Sequence, residues 1–190
     1  MAKKQKRLAF QINMERCIGC NACTVACKSF YDLHPSVNRR TVVETDETLV
    51  GAAKRCYLST SCNHCDEPAC AKACPTGAYI KLENGIVKHN QDRCIGCQMC
   101  ATACPYKAPQ FDPVKKKMDK CSMCYDRIEV GEDPICVSSC PMEAIAIVDL
   151  NEIDESKVVS DVKGFVDSTI TGSSTRFILP VATSVVRGEL

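Results

Sequence analysis

The stretch CIGCQMCATACP, residues 94–105, decides the fold of this chain, because it sets four cysteines at the spacing C-x2-C-x2-C-x3-C and ends them with a proline. Residues 17–27 repeat this spacing, and two further groups lengthen one gap, to x4 within 62–74 and to x11 within 121–140. All but one of the 17 cysteines belong to these groups. The four quartets, in chain order, are quartet one (Cys17, Cys20, Cys23, Cys27), quartet two (Cys62, Cys65, Cys70, Cys74), quartet three (Cys94, Cys97, Cys100, Cys104) and quartet four (Cys121, Cys124, Cys136, Cys140).

This spacing is typical of [4Fe–4S] ligation. Three thiolates of a tight loop bind three irons of one cubane, and the fourth cysteine binds a neighbouring cubane. Structural zinc usually takes two C-x2-C pairs with a spacer between them, which fits these runs poorly. Disulfides fit worse, because the cysteine count is odd and no apolar signal segment is present at the start. The quartets therefore predict four [4Fe–4S] clusters.

The linker between quartets two and three, residues 75–93, predicts a β-hairpin. Residues 77–80 begin one strand, Asn84-Gly85 makes the turn, and Ile86-Val87 begins the return strand. This is the layout of a two-cluster bacterial ferredoxin, in which the fourth cysteine of each quartet is exchanged. It predicts set C (Cys62, Cys65, Cys70, Cys104) and set D (Cys74, Cys94, Cys97, Cys100).

An internal repeat pairs the remaining quartets. The sequence ERCIGC at 15–20 matches DRCIGC at 92–97, and strands predicted at 8–13 and 144–149 match the two strands of the hairpin. We expect those two strands to pair with each other. The repeat then predicts set A (Cys17, Cys20, Cys23, Cys140) and set B (Cys27, Cys121, Cys124, Cys136). The alternative, quartet one with two and three with four, is disfavoured by the phase of the repeat.

The predicted fold is α+β, with two interleaved ferredoxin-like units of the bacterial 2[4Fe–4S] type, one inserted in the other, and a C-terminal extended arm. The first unit comprises 1–61 and 105–150, the inserted unit 62–104, and the arm 151–190, which we expect to dock on a partner. Residues 42–43 and 48–50 predict a peripheral hairpin.

Charge and composition limit the partners. Lys and Arg number 24 against 23 Asp and Glu, so no nucleic acid partner is indicated, and no apolar run approaches the roughly 20 residues of a membrane span. Four clusters with their thiolates would change the formal charge from +1 to about −7. Positive side chains are therefore expected beside the quartets, with Lys28, Lys107 and Lys120 as candidates. We expect Cys56 to be a small buried residue and His64 to have a packing role.

Two longer motifs carry a family resemblance: C-x-H-C-x-x-P-x-C at 62–70 and K-C-x-x-C-x-x-R-x-x-x-G-x-x-P-x-C-V-x-x-C-P at 120–141. With the ordered quartets, residues 8–150 resemble the four-cluster iron–sulfur subunit of the dimethyl sulfoxide reductase type. The resemblance implies a subunit with no catalytic site of its own. It would relay electrons in anaerobic respiration between a large molybdopterin catalytic subunit and an integral membrane, quinol-linked subunit or another redox partner. Quartet three is complete, which favours four cubanes over a three-iron variant.

Two other functions remain open at this point. The chain could serve a hydrogenase or a formate dehydrogenase, since the cysteine pattern is shared, or it could be a cluster-bearing sensor or structural module. With no signal of its own, we expect the chain in the cytoplasm, or exported with a signal-bearing partner and peripheral at the membrane.

Overall fold

The computed structural model describes residues 5–45 and 55–180, and within them the elements are short and alternate with cysteine loops. The strands are β1 (Leu8–Asn13), β2 (Arg40–Thr45), β3 (Cys56–Ser61), β4 (Tyr79–Lys81), β5 (Val87–His89), β6 (Gln110–Asp112), β7 (Lys117–Asp119), β8 (Ile145–Asp149) and β9 (Arg176–Ile178). The helices are α1 (Ala22–Phe30), α2 (Ala69–Lys72), α3 (Met99–Ala103), α4 (Tyr125–Glu129) and α5 (Ile135–Ser138). Single 3₁₀ turns occupy Glu155–Lys157 and Ser168–Ile170. The fold is α+β.

The main sheet has the order β8-β1-β9, so β1 lies at its centre. From Phe10 to Asn13 apolar and polar residues alternate along β1, and Phe10 and Ile12 are buried at 2% and 1% exposure. As predicted, β1 pairs antiparallel with β8, with Phe10 opposite Ile147. This pairing brings the first and last strands of the cysteine region together.

Three two-stranded hairpins complete the strand pairing of the described residues. The predicted hairpin between quartets two and three is confirmed as β4 and β5, with Gly85 at φ +90° in the turn. The turn touches the main sheet, because the Leu8 amide donates to the Asn84 carbonyl at 2.8 Å. The predicted residues 42–43 lie in β2, which pairs with β3 at 56–61, whereas residues 48–50, the other strand of the predicted peripheral hairpin, lie outside the described residues. The β6–β7 hairpin was not anticipated.

The internal repeat is visible in the backbone of the cysteine loops. Gly19 and Gly96 have φ of +73° and +72°, and Asn21 and Gln98, two residues further on, have φ of 60° and 62°. In each copy the helix, α1 or α3, begins directly after this left-handed residue. The two matching sequences therefore fold into the same turn.

Helices α2 and α5 form a second matching pair. Each begins directly after a proline, Pro68 or Pro134, which fixes φ and needs no amide partner at a helix start. The second residue of each helix is a buried cysteine, Cys70 or Cys136. The P-x-C element of both long motifs thus sets a cysteine on the first turn of a helix.

The C-terminal segment differs from the predicted extended arm. Residues 151–180 fold back on their own chain, where β9 pairs parallel with β1 and Phe177 joins the same buried cluster as Phe10 and Ile12. Val162 and Phe177 are 4% and 1% exposed. Their apolar side chains are buried in the core of this chain, and this burial stabilises the folded-back position of the segment. The remainder of the predicted arm, 181–190, lies outside the described residues.

No helix in the described part of the chain is long and apolar enough to cross a bilayer. The longest of them, α1, has 9 residues.

Candidate metal centres

Set A lines one small cavity of the structure. Cys17, Cys20 and Cys23 line it from the loop before α1 and its first turn, and Cys140 lines it from the residues just after α5. Burial raises the pKa of the Cys17 thiol, the Gly19 amide opposes this, and Cys23, Cys140 and Cys20 add to the rise. Three cysteines of quartet one therefore share one cavity with the last cysteine of quartet four.

Set C lines a second small cavity, formed by Cys62, Cys65, Cys70 and Cys104 together with apolar groups such as Val87. Burial is the main cause that raises the pKa of Cys65 to about 11 and that of Cys70 to about 12. Cys62 and Cys104 raise both further. The first three cysteines of quartet two therefore share this cavity with the last cysteine of quartet three.

The four thiols of set B are all buried. Burial raises the pKa of Cys27 to about 12, and the next contributions come from Cys121 and Cys136, with a smaller one from Cys124. The pKa of Cys136 rises to about 11, again chiefly through burial. Cys27, at the end of quartet one, therefore lies among the first three cysteines of quartet four.

Set D is more open. Cys100 is buried, Cys74 and Cys94 are half-buried, and Cys97 is exposed. Burial raises the pKa of Cys100, and both Cys94 and Cys74 contribute to the rise. Cys74, from quartet two, thus lies beside quartet three.

Backbone amides donate to the sulfur atoms of four quartet cysteines, with N···S distances of 3.2–3.4 Å. The donor and acceptor pairs are Ala78 with Cys74, Ala144 with Cys140, Gly96 with Cys94, and Met123 with Cys121. Amides placed in this way stabilise negative charge on sulfur and so suit thiolates that bind iron. Thiolates in cavities that otherwise raise thiol pKa values also need a metal to offset the cost of burial. The donors and their surroundings therefore fit iron–sulfur clusters.

Within residues 5–45 and 55–180, no group of three or more Cys, His, Asp or Glu side chains converges as the ligands of one ion would. A zinc ion draws all its sulfur ligands to about 2.3 Å from a single point. A cubane makes a different demand, since each thiolate binds its own iron and the four donors surround a volume.

Buried cations lie between the sets. Arg40 is 2% exposed, and its guanidinium donates to the Ser59 hydroxyl at 2.9 Å and the Ser61 hydroxyl at 3.1 Å. Burial lowers the pKa of Arg40, but Cys136, Cys121 and Cys23 raise it, and the net direction is upward. These cysteines come from sets A and B. Arg40 carries no motif signal, and sequence reasoning missed it.

Lys120 is the one buried residue among the three predicted lysines. It is 3% exposed, and its ammonium donates to the carbonyl oxygens of Val87 and Cys121. Its charge lowers the pKa of Cys62 and Cys70, against the larger effect of burial. Lys28 instead donates to the Pro35 carbonyl at 2.7 Å, and Lys107 is exposed.

His64 and Cys56 are both buried, at 0% and 1% exposure. The His64 ring accepts the Val87 amide at Nδ1, at 3.0 Å, which leaves its proton on Nε2. Burial, followed by the charges of Lys120, Lys81 and Arg40, holds the pKa of His64 well below its usual value. It is therefore a neutral packing residue beside set C.

The sets differ in access to the surface. Cys20 of set A and Cys97 of set D are exposed, and the neighbouring Ile18 and Ile95 are 54% and 67% exposed. No other quartet cysteine is exposed, and set B is entirely buried. Sets A and D therefore have an exposed cysteine at the surface of the chain, set C has only the half-buried Cys104, and set B lies inside.

The fold and the cysteine loops define a ferredoxin-like iron–sulfur protein. Two family models, both described as 4Fe-4S dicluster domains, match residues 16–78 and 53–150. The B subunit of the anaerobic dimethyl sulfoxide reductase of Escherichia coli (strain K12) is 46% identical over 154 residues, which cover 77% of this chain and 74% of that protein.

Two further relatives are more distant. A thiosulfate reductase electron transfer subunit of Salmonella typhi is 40% identical over 147 residues, 76% of this chain and 75% of its own length. A formate dehydrogenase iron-sulfur subunit of Wolinella succinogenes is 36% identical over 173 residues, 80% and 86% of the two chains. The chain belongs to the family of iron–sulfur electron-transfer subunits of the dimethyl sulfoxide reductase type.

Proposed function

We propose that the chain binds four [4Fe–4S] clusters, one in each of sets A to D, and relays electrons along them between two redox partners. The observation that carries this proposal is the exchange of cysteines between quartets. Cys140 lines the same cavity as quartet one, and Cys104 lines the same cavity as quartet two. In a ferredoxin-like unit with two clusters, the fourth cysteine of each quartet binds the cluster of the other quartet, and both pairs of quartets here have this arrangement.

The same exchange supports interleaved units. The first unit, 1–61 with 105–150, is joined across the chain by the pairing of β1 with β8. The inserted unit, 62–104, has its own β4–β5 hairpin, and Tyr79 and Val87 lie in a small buried group that Met118 of the first unit also joins. Each unit would hold two clusters.

The order A–B–C–D is the electron path that neighbouring sulfurs support. Sets A and B share cysteines of quartets one and four, and sets C and D share those of quartets two and three. Between the units, the sulfurs of Cys121 in set B and Cys62 in set C lie close enough for the Cys121 charge to raise the pKa of Cys62. Short steps suit electron tunnelling, and the two exposed ends, at Cys20 and Cys97, suit exchange with partners.

The partners follow from the relatives. Identity is higher to the dimethyl sulfoxide and thiosulfate reductase subunits than to the formate dehydrogenase subunit, which favours a molybdopterin reductase complex. We assign the set A end to the catalytic subunit and the set D end to a quinol-linked membrane subunit, through which the chain would lie at the membrane surface. The chain itself would contribute electron transfer and no bond-making residue.

The ligand sets are tested by serine substitutions at cysteines that are close in sequence. Cys140→Ser should alter one cluster signal in an electron paramagnetic resonance (EPR) titration, and Cys136→Ser should alter a different one. Cys27→Ser should alter the same signal as Cys136→Ser. If Cys140→Ser and Cys136→Ser altered the same signal, quartet four would bind a single cluster and the exchange would be wrong.

The polarity is tested in the assembled complex with Cys100→Ser. Quinol-linked turnover should fall, while a dye that donates directly to the catalytic subunit should still support turnover. Equal loss of both activities, with the subunits still assembled, would contradict the assignment of set D to the quinol side.

A further inference from the structure

Residues 168–176 of the C-terminal segment lie across the loop that carries Cys62, Cys65 and Cys70. Three backbone hydrogen bonds join the two stretches. The amides of Asp66 and Glu67 donate to the carbonyls of Gly172 and Thr171 at 2.7 and 3.0 Å. In the opposite direction, the Ser174 amide donates to the Asn63 carbonyl at 3.1 Å. The segment is therefore bonded to the loop on both sides of Cys65.

Side chains strengthen this contact. The Ser174 hydroxyl donates to the His64 carbonyl at 3.0 Å, and the Thr175 hydroxyl lies 3.0 Å from the Asn63 side-chain oxygen. Gly172 has φ +62°, and a Cβ added there would lie 3.1 Å from the Cβ of Asp66. The backbone thus approaches the loop more closely than most other residues would permit.

The approach brings one hydroxyl onto a predicted iron ligand. Thr171 is 3% exposed and lines the set C cavity, and its hydroxyl oxygen lies 3.1 Å from Cys65 Sγ. The Tyr106 phenol oxygen lies 3.3 Å from the same hydroxyl. A thiolate can only accept, so Thr171 gives its one proton to Cys65 Sγ, the nearer of the two acceptors, rather than to the phenol oxygen.

We propose that Thr171 sets the reduction potential of the cluster in set C through its hydrogen bond to Cys65. Reduction adds negative charge that spreads onto the ligand sulfurs, and a donor to such a sulfur stabilises the reduced state. The bond therefore makes this cluster easier to reduce. The inference rests on the proposed binding of four clusters and adds a residue outside the cysteine motifs.

The position of Thr171 makes this a property of the segment rather than of the dicluster domains. The two matching family models end at residues 78 and 150, and Thr171 lies beyond both. The hydrogen bond therefore couples folding of the C-terminal segment to the electronic state of one cluster. An electron-transfer chain of this kind could be tuned by its tail without any change in the ligand loops.

The test uses the full chain with its clusters, purified without oxygen, and EPR-monitored redox titration. Thr171→Val keeps the shape and removes the donor, whereas Thr171→Ser keeps the donor. Thr169→Val is the matched control, because Thr169 is exposed and its hydroxyl donates to Asp167. The signal of set C is identified as the one altered by Cys65→Ser.

In Thr171→Val, the ratio of reduced to oxidised cluster C at the original midpoint should fall about tenfold, a shift of about 59 mV to lower potential for one electron. The other three midpoints, and all four in Thr171→Ser and Thr169→Val, should stay unchanged. An unchanged set C midpoint in Thr171→Val would overturn the proposal. So would loss of that cluster in Thr171→Val alone, which would assign the hydroxyl a structural role. Fewer than four clusters in the unsubstituted chain would instead count against the proposed function.

Discussion

Replacing Arg40 by methionine removes a fully buried positive charge that lies between sets A and B. The guanidinium donates to the Ser59 hydroxyl at 2.9 Å, and that hydroxyl lies 3.6 Å from Cys23 Sγ. The side chain also covers the Phe10 ring, at 4.6 Å from its centroid. Methionine keeps most of the apolar stem and its contact with Phe10 but loses the charge.

The size of the effect follows from these distances. The two consecutive contacts, of 2.9 and 3.6 Å, place Cys23 Sγ no more than about 6.5 Å from the guanidinium nitrogen, where two unit charges interact by about 2.6 kcal/mol at an effective dielectric constant near 20. The added electron is shared over a whole cluster, whose centre lies farther away, so about 2 kcal/mol is the better figure. For a one-electron couple this corresponds to about 85 mV. Because the lost charge is positive, the potential should fall.

The assay is an EPR-monitored redox titration of the chain with its clusters, with iron content measured on the same samples. Two midpoints, those of sets A and B, should move to lower potential in Arg40→Met, while those of sets C and D should move less. Arg40→Lys is the control, since it keeps the charge and should retain most of the potential. If all four midpoints were unchanged with full iron content, Arg40 would not be a countercharge for these clusters.

Three further perturbations test the fold around the clusters. A Cβ at Gly96 would clash with the Lys116 carbonyl oxygen, so Gly96→Ala should remove one cluster, about four irons, by iron analysis. Gly77→Ala, also at positive φ but with open space around it, should keep full iron content. Phe177→Ala, at a residue 1% exposed, should cost about 3–5 kcal/mol and lower the melting temperature measured by calorimetry. Removing iron with a chelator should abolish the cooperative transition, because metal binding supplies folding energy.

A different result in any of the three experiments would contradict the corresponding prediction. Equal iron content in Gly96→Ala and Gly77→Ala would contradict the steric argument at the set D loop. An unchanged melting temperature in Phe177→Ala would show that the C-terminal segment is not part of the cooperative core. A sharp calorimetric transition in the iron-free chain would show that the apolar core suffices alone.

Local sequence signals predicted the parts of the fold that repeat. The Asn84-Gly85 turn indicated the β4–β5 hairpin, and the match of 15–20 with 92–97 anticipated two loops with the same backbone. Pairing of β1 with β8 also followed from the repeat, although the two strands lie at opposite ends of the cysteine region. The turn and the loops depend on short motifs whose geometry is set by neighbours in sequence, whereas the strand pairing followed from the match between the two repeats.

The features that the sequence did not reveal depend on contacts between distant residues. Arg40 reads as a surface cation at the start of a strand, and its burial follows only when the cysteines of two quartets collect around it. Likewise, Phe177 and Thr171 lie in a Ser- and Thr-rich segment with no periodicity, and it is the exposed edge of β1 that gives β9 its place. The lysine prediction, Lys28, Lys107 and Lys120, identified one buried cation out of three because proximity in sequence to a cysteine does not fix direction.

Iron and acid-labile sulfide analysis of the anaerobically purified chain, together with Mössbauer spectroscopy, tests the central claim most directly. Four complete quartets predict about sixteen irons and as many sulfides per chain, all in the spectral form of [4Fe–4S] clusters. Zinc in place of iron, or about eight irons per chain in fully loaded material, would contradict the account.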